Sequence, residues 1–79
     1  MSRYTVLLYP AEAGGFVAHI PVFDVATEGD TVEHALEMAC EAAELHINGM
    51  IEDGEPVLEE ATPPIVASIV VRVPVPATA

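Results

Sequence analysis

The sequence has few of the residues on which many functional sites depend: cysteine, aromatic residues and basic residues. Among its 79 residues are one cysteine, no tryptophan and two basic side chains, Arg3 and Arg72, against 13 acidic ones. A single cysteine excludes an intrachain disulfide and a thiol-rich metal site. The net charge of −11 repels a phosphate backbone, so we expect no direct binding of nucleic acid. Such acidity fits a basic protein partner, or serves solubility alone.

Long apolar runs are also missing. No uninterrupted apolar segment approaches the ~18 residues of a membrane span, and the amino terminus shows no apolar segment followed by a small-residue cleavage site. Together with the lone Cys40, this predicts a cytoplasmic protein. A chain of 79 residues holds one small domain, whose burial barely offsets the entropy of ordering it, so self-association would stabilise it.

The first third of the chain has the pattern of short strands separated by turn residues. Residues 3–9, 16–20 and 22–28 are rich in apolar, β-branched and aromatic side chains. Two glycines, at residues 14–15, separate the first pair of strands, and Pro21 ends the second. This order predicts an antiparallel three-stranded meander.

A helix and a last strand are predicted after the meander. Residues 32–51 have helical apolar periodicity, with Asp30 as the N-cap and Glu33 completing a capping box. Residues 65–73 are almost continuously β-branched, which predicts a fourth strand parallel to the first. The predicted class is α+β, in the order β-β-β-α-β with the helix packed on one face, and residues 74–79 form a flexible tail.

The predicted helix has three distinct surfaces. Its apolar stripe, expected to face the sheet, comprises Val32, Leu36, Ala39, Ala43, Ile47 and Met50. The opposite surface carries Glu33, Glu37, Glu41, Glu44, Asn48 and Glu52, where like charges four residues apart destabilise a helix by roughly 0.2–0.5 kcal/mol per pair. Beside the stripe runs a ribbon of Met38, Ala42, Leu45 and Gly49. Two interpretations of this extra apolar width stay open: contact with another subunit or partner, and coverage by the carboxy-terminal segment.

Groups for catalysis or metal binding do not converge in this sequence. His19 lies in a predicted strand, while His34 and His46 are separated by twelve helical positions and point about 120° apart. Cys40 has acidic neighbours on adjacent helical turns, which disfavour its thiolate, so we expect a packed and inert thiol. We therefore predict no catalytic residues, no cofactor and no metal site.

Several short motifs resemble the amino-terminal domain of HicB-like antitoxins. They are Gly14-Gly15-Phe16-Val17-Ala18, Pro21, Gly29-Asp30-Thr31, Glu33, Ala35, Glu41-Ala42, Leu45 and Glu52-Asp53-Gly54-Glu55-Pro56. The resemblance extends over roughly residues 4–73. It implies a partial RNase H-like β-β-β-α-β domain, assigned here to residues 1–73, and a partner that is a small, basic, HicA-type toxin that cleaves mRNA.

The sequence departs from that family's pattern in two places. Only residues 74–79 follow the last predicted strand, so we expect no carboxy-terminal DNA-binding module. Residues 22–26 lack the Leu-Pro-Gly-Cys-like turn common in the family. The first predicted strand has no carboxylate, so the metal-binding acidic set of a true RNase H is missing and we expect no enzyme.

The expected function is therefore protein binding. We expect a stand-alone, homodimeric, antitoxin-type domain that masks the RNA-binding surface of a basic toxin. The candidate partner-binding residues are Glu33, Glu37, Met38, Glu41 and Leu45. The alternative is an orphan homodimeric structural or regulatory module that has no toxin and self-associates through the helix ribbon. A small-molecule site at His19 on the outer sheet face is a third option.

Overall fold

In the computed structural model of the protein, residues 1–76 are described. They form three strands followed by one helix: β1 (Leu7–Pro10), β2 (Phe16–Ile20), β3 (Val25–Gly29) and α1 (Val32–Glu52). The strands form one antiparallel sheet in the order β1-β2-β3. The predicted α+β class and the meander are confirmed. None of the helical structure in residues 1–76 is long and apolar enough to cross a membrane.

The loop between β1 and β2 depends on two glycines in left-handed conformations. Gly14 has a φ of 101° and Gly15 a φ of 76°, angles that residues with a Cβ rarely adopt. The amide of Ala11 donates to the carbonyl of Gly15 at 3.0 Å and closes the loop. A Cβ on Gly15 would also lie 2.7 Å from the carbonyl oxygen of Gly29, so both conformation and space require glycine there.

Strand β1 begins at Leu7, four residues later than the sequence pattern predicts. Its ladder is limited by the five-residue β2, which pairs with Leu7–Pro10 only. Upstream of the ladder, the amide of Thr5 donates to Oε1 of Glu60 at 2.8 Å, and the Thr5 hydroxyl donates to Oε2 at 2.6 Å. At Thr5 the backbone amide is therefore satisfied by the Glu60 carboxylate and not by a carbonyl of a neighbouring strand.

Strand β3 also begins late, at Val25 instead of residue 22. The amides of Phe23 and Asp24 donate to the carbonyls of Ile20 and Pro21, which makes a tight turn. Asp24 has a φ of 52°, and a left-handed residue cannot continue an extended strand. Since Phe23 in this turn is buried in the core, the turn is a packed part of the fold.

The cap of α1 differs by one residue from the prediction. Thr31, not Asp30, is the N-cap, and its Oγ1 accepts from the amide of His34 at 3.0 Å. In return, Nδ1 of His34 accepts from the amide of Asp30 at 3.0 Å. Three residues after the cap stands His34, so the predicted capping box with Glu33 is wrong, and the imidazole instead accepts from the amide just before the cap.

The core between α1 and the sheet is made mostly of small side chains. Its buried members are Ala18, Ile20, Phe23, Ala35 and Ala39. The closest approach is at Gly29, where an added Cβ would lie 2.4 Å from the amide nitrogen of Ala35. There is consequently no room for a side chain where the end of β3 meets the first turns of α1.

This close approach rotates α1 relative to the orientation predicted from hydropathy. Ala35 and Ala39 face the sheet, whereas Val32 and Leu36 are 37% and 43% exposed. The predicted stripe is therefore wrong at Val32 and Leu36. It is confirmed at Ala39, which is buried, and at Ala43, Ile47 and Met50, which pack against the core.

The fourth strand predicted for residues 65–73 does not form in the structure. Residues 61–76 contain neither helix nor strand, and all of them are exposed. Residues 63–64 are both proline, which stiffens the backbone and removes two amide donors where the chain would have to settle against β1. The radius of gyration is 17.0 Å, compared with about 12 Å for a compact domain of this length. Of the predicted tail, residues 77–79 lie outside the described residues.

The close contact at Gly29 predicts that a single added methyl group lowers the stability of the fold substantially. Gly29→Ala should lower the free energy of unfolding by about 1–3 kcal/mol, because the helix must move away from the sheet. Gly49→Ala is the matched control: an added Cβ there meets nothing within 4 Å, and relief of helical glycine should raise stability by about 0.5–1 kcal/mol. Urea unfolding followed by circular dichroism measures both, and equal effects would contradict the proposed close contact.

Candidate functional site

The outer surface of α1 carries a row of carboxylates, which we call the acidic row. Its members, all exposed, are Glu33, Glu37, Glu41, Glu44 and Glu52. They lie opposite Ala35 and Ala39, the helix residues buried against the sheet. Within residues 1–76, the contact found between a carboxylate and a nitrogen-bearing side chain joins Asp24 and His19, so no basic side chain in this part of the chain pairs with the row.

The electrostatics of the acidic row differ along the helix. Glu33 lies in the first turn of α1, where the positive end of the helix dipole favours a carboxylate. Farther along, Glu37 and Glu41 are four residues apart, a spacing at which like charges destabilise the helix. The row is thus a regular array of negative charge that is held in place by the packing of the opposite side of α1.

Beside the acidic row lies an apolar cleft between the second half of α1 and β3. Its volume is about 470 Å³, and it is lined by Val25, Ala42, Leu45, His46, Gly49, Met50, Asp53 and Glu55. Leu45, at the rim, is 75% exposed, and two carboxylates belong to the lining just beyond the helix end. The cleft combines an apolar wall with an acidic border.

Gly49 is the residue that keeps this cleft open. It sits within α1, where glycine is less favourable than alanine by about 1 kcal/mol. A Cβ built on it meets no atom within 4 Å, so close packing does not require the glycine. Any larger residue at this position would project a side chain into the cleft.

The wall of the cleft is supported from behind by aromatic packing. The ring of His46 packs on Phe23 with the centroids 4.9 Å apart, and Phe23 packs on Tyr4 at the same distance. His46 therefore lies between the cleft and the core. Its ring contributes to the shape of the cleft and links that wall to the core.

The structure brings together some of the predicted binding residues and separates one. Glu37 and Glu41 lie in the acidic row, and Leu45 lies one helical turn beyond Glu41 at the rim of the cleft. Met38 is half-buried and does not line the cleft. The acidic row and Leu45 therefore form one continuous surface, whereas Met38 is partly covered and lies outside the cleft.

Sequence reasoning identified part of the helical wall of the cleft, since Ala42, Leu45 and Gly49 of the predicted ribbon line it. The residues it did not propose include Val25 on β3 and, after the helix, Asp53 and Glu55. One signal was available, because Gly49 interrupts a helix that is otherwise free of glycine. The contribution of Val25 could not be found from the sequence, since it depends on how β3 lies against α1.

The histidines and the cysteine have separate environments. Nε2 of His19 lies 3.2 Å from Oδ1 of Asp24, and His34 is part of the helix cap. Within residues 1–76, no three His, Cys, Asp or Glu side chains are grouped closely enough to hold a metal ion. Cys40 is exposed, so the prediction of a packed thiol is wrong: the rotation that buries Ala39 turns the next residue outward.

Comparison with known proteins finds two named relatives. The chain is 43% identical over 54 residues to antitoxin HicB 1 of Photorhabdus laumondii, a match that covers 67% of this chain and 35% of that protein. It is 40% identical over 59 residues to a UPF0150 protein of Synechocystis sp., covering 73% of this chain and 75% of that protein. The chain thus spans well under half of the HicB 1 protein that it matches. No protein-family model matches the chain.

Proposed function

The chain belongs to the HicB-like antitoxin family, and on that premise we propose that it binds and neutralises a small, basic, HicA-type mRNA-cleaving toxin. The proposed role is binding and not catalysis. The observation that carries the proposal is the acidic row beside an open apolar cleft, on the side of α1 that the core leaves free. A cytoplasmic location is part of the proposal, and the unpaired Cys40 is consistent with a reducing compartment.

Electrostatic competition with RNA is the proposed basis of neutralisation. A protein that cleaves mRNA has to present cationic side chains to phosphate groups. From Glu33 to Glu44, successive carboxylates of the acidic row are three or four residues apart, about 4.5–6 Å along the helix axis. Such a row offers the toxin's cationic surface a regular series of anions. Occupying that surface would exclude RNA sterically and electrostatically.

The cleft supplies the short-range part of the proposed interface. Charge complementarity mainly accelerates association, whereas burial of apolar groups in a pocket slows dissociation. Leu45 and Met50 provide the apolar wall, and Asp53 and Glu55 lie at the end of the cleft. A lysine or arginine side chain of the partner fits this chemistry, with its aliphatic stem against the wall and its charged group near the carboxylates.

Reversing charge in the acidic row tests the electrostatic step. Glu37→Lys combined with Glu41→Lys should weaken binding to a purified HicA-type toxin at least tenfold and flatten its dependence on salt, because the attracting charges are reversed. Isothermal titration calorimetry between about 50 and 200 mM salt measures this. The matched control, Glu12→Lys with Glu28→Lys, changes the net charge equally on exposed residues outside the row and should lose much less affinity. Equal losses in the two double variants would remove the role of the row.

Filling the cleft tests the short-range step. Gly49→Leu should leave the fold intact, since leucine is a better helix former and the added side chain enters open space. It should reduce affinity for the toxin at least tenfold and relieve inhibition of RNA cleavage. Cys40→Leu is the control, because it adds the same side chain at an exposed position of α1 that does not line the cleft. If both variants inhibit the toxin like the original protein, the cleft takes no part in binding.

A second candidate function is an orphan homodimeric structural or regulatory module without a toxin. The observation that favours it is the exposed apolar side chain of Leu45, which would then lie in a self-association surface on the helix ribbon. The acidic row argues against this arrangement, since two such ribbons would bring two rows of carboxylates together. The oligomeric state of Leu45→Asp separates the two functions and is part of the experiment below.

A further inference from the structure

Residues 63–76, which we call the C-terminal arm, expose an unusual amount of apolar surface. Seven large aliphatic side chains in the arm are between 62% and 103% exposed: Ile65, Val66, Ile69, Val70, Val71, Val73 and Val75. Monomeric soluble proteins rarely leave contiguous apolar patches larger than a few hundred Å² in water. An arm of this composition therefore needs a surface to cover it.

The composition of the arm favours a β-strand, and its lack of acidic side chains allows it to approach another copy of this acidic chain. Six of the nine residues 65–73 are isoleucine or valine, which favour strands. All 13 acidic residues lie within residues 1–60, while the arm carries Arg72 and no carboxylate. Contact through the arm thus avoids the repulsion that two acidic bodies would otherwise experience.

The outer edge of β1 is the surface that fits the arm. Within residues 1–76, β1 pairs with β2 alone, so the amides and carbonyls of its other side are available to a further strand. The base of the arm already lies near this edge, since Ile65 and Val66 share a cleft of about 540 Å³ with Leu7 and Tyr9. No ladder connects them, and Tyr9 remains 51% exposed.

The connection before the arm explains why the rest of it leaves its own sheet. The chain is fixed up to Glu60, whose carboxylate holds Thr5, and the Tyr4 hydroxyl donates to the carbonyl of Leu58 at 2.9 Å. The two prolines at residues 63–64 then form a stiff, extended spacer. The molecule measures 57 × 28 × 20 Å, so the arm reaches well beyond the sheet. A short, constrained hinge that keeps an element from folding back onto its own domain promotes exchange between copies.

We propose that two copies of this chain exchange their C-terminal arms, with a short strand from within residues 65–73 of each pairing along the outer edge of β1 of the other. The exchange is reciprocal, so it closes as a symmetric dimer. The sequence pattern predicts a fourth strand beside β1 within a single chain. In the exchanged dimer, the partner chain supplies that strand. The exchange leaves the acidic row and the cleft of each copy uncovered, and it does not depend on a toxin.

Sedimentation velocity of the full chain tests the interface. The unmodified protein should be a dimer, and Val70→Asp should be a monomer with an unchanged helical circular dichroism spectrum, because Val70 is fully exposed in the single chain. Leu45→Asp, an equivalent change on the helix ribbon, should remain a dimer. A monomeric unmodified protein, or a dimer lost in Leu45→Asp and kept in Val70→Asp, would overturn the proposal.

Cross-linking tests the exchange itself. In a Cys40→Ser background, Tyr9→Cys and Ile69→Cys are introduced into the same chain and treated with a short flexible bismaleimide. Arm exchange should produce a species of twice the chain mass on a denaturing gel. A cross-link confined to the single-chain band, or no cross-link at all, would contradict it. Toxin binding enters neither measurement, so failure here is distinct from failure of the proposed function.

Discussion

Helix α1 can lie directly on the sheet because the groups between them are among the smallest available. Gly29 has no side chain at the point where β3 meets the helix, and Ala18, Ala35 and Ala39 are fully buried around it. This contact sets the rotation of the helix about its own axis. Because Ala35 and Ala39 face inward, the acidic row must face water, and the Leu45 side of the helix must border β3. The candidate binding surface is thus a consequence of core packing.

The acidic row makes the helix electrostatically unfavourable in isolation. Helices in small proteins are stabilised mainly by packing of their apolar side, so the buried alanines must hold together a helix whose outer carboxylates repel one another. A cationic surface that binds the row would relieve this repulsion. Binding to the folded state alone raises its apparent stability, so a protein with this charge distribution is expected to be more resistant to unfolding in the presence of its partner.

Local chemistry was enough to predict much of the fold. The two glycines of the first loop, Pro21, and the uninterrupted helical period of α1 each act over a few residues, and those predictions are confirmed. Hydropathy alone could not predict the rotation of α1, because it ranks Leu36 above Ala35 as a core residue although only alanine fits close to Gly29. Similarly, Asp30 and Thr31 are both good caps, and the choice depends on a hydrogen bond to His34. The β-branched pattern of residues 65–73 indicates a strand but does not say which sheet edge, or which chain, completes it.

The hydrogen bonds from Thr5 to the carboxylate of Glu60 affect how far copies of the chain can associate through the β1 edge. This carboxylate occupies the backbone amide just before the ladder of β1, and Pro10 at the other end has no amide to offer. The unpaired part of the β1 edge is therefore short, because the Thr5 amide is already hydrogen-bonded on one side of it and Pro10 has no amide on the other. Long, flat edges invite open-ended fibre growth, and short, interrupted ones resist it. At β1 the edge consequently accepts one short strand, which disfavours open-ended stacking of copies through this edge.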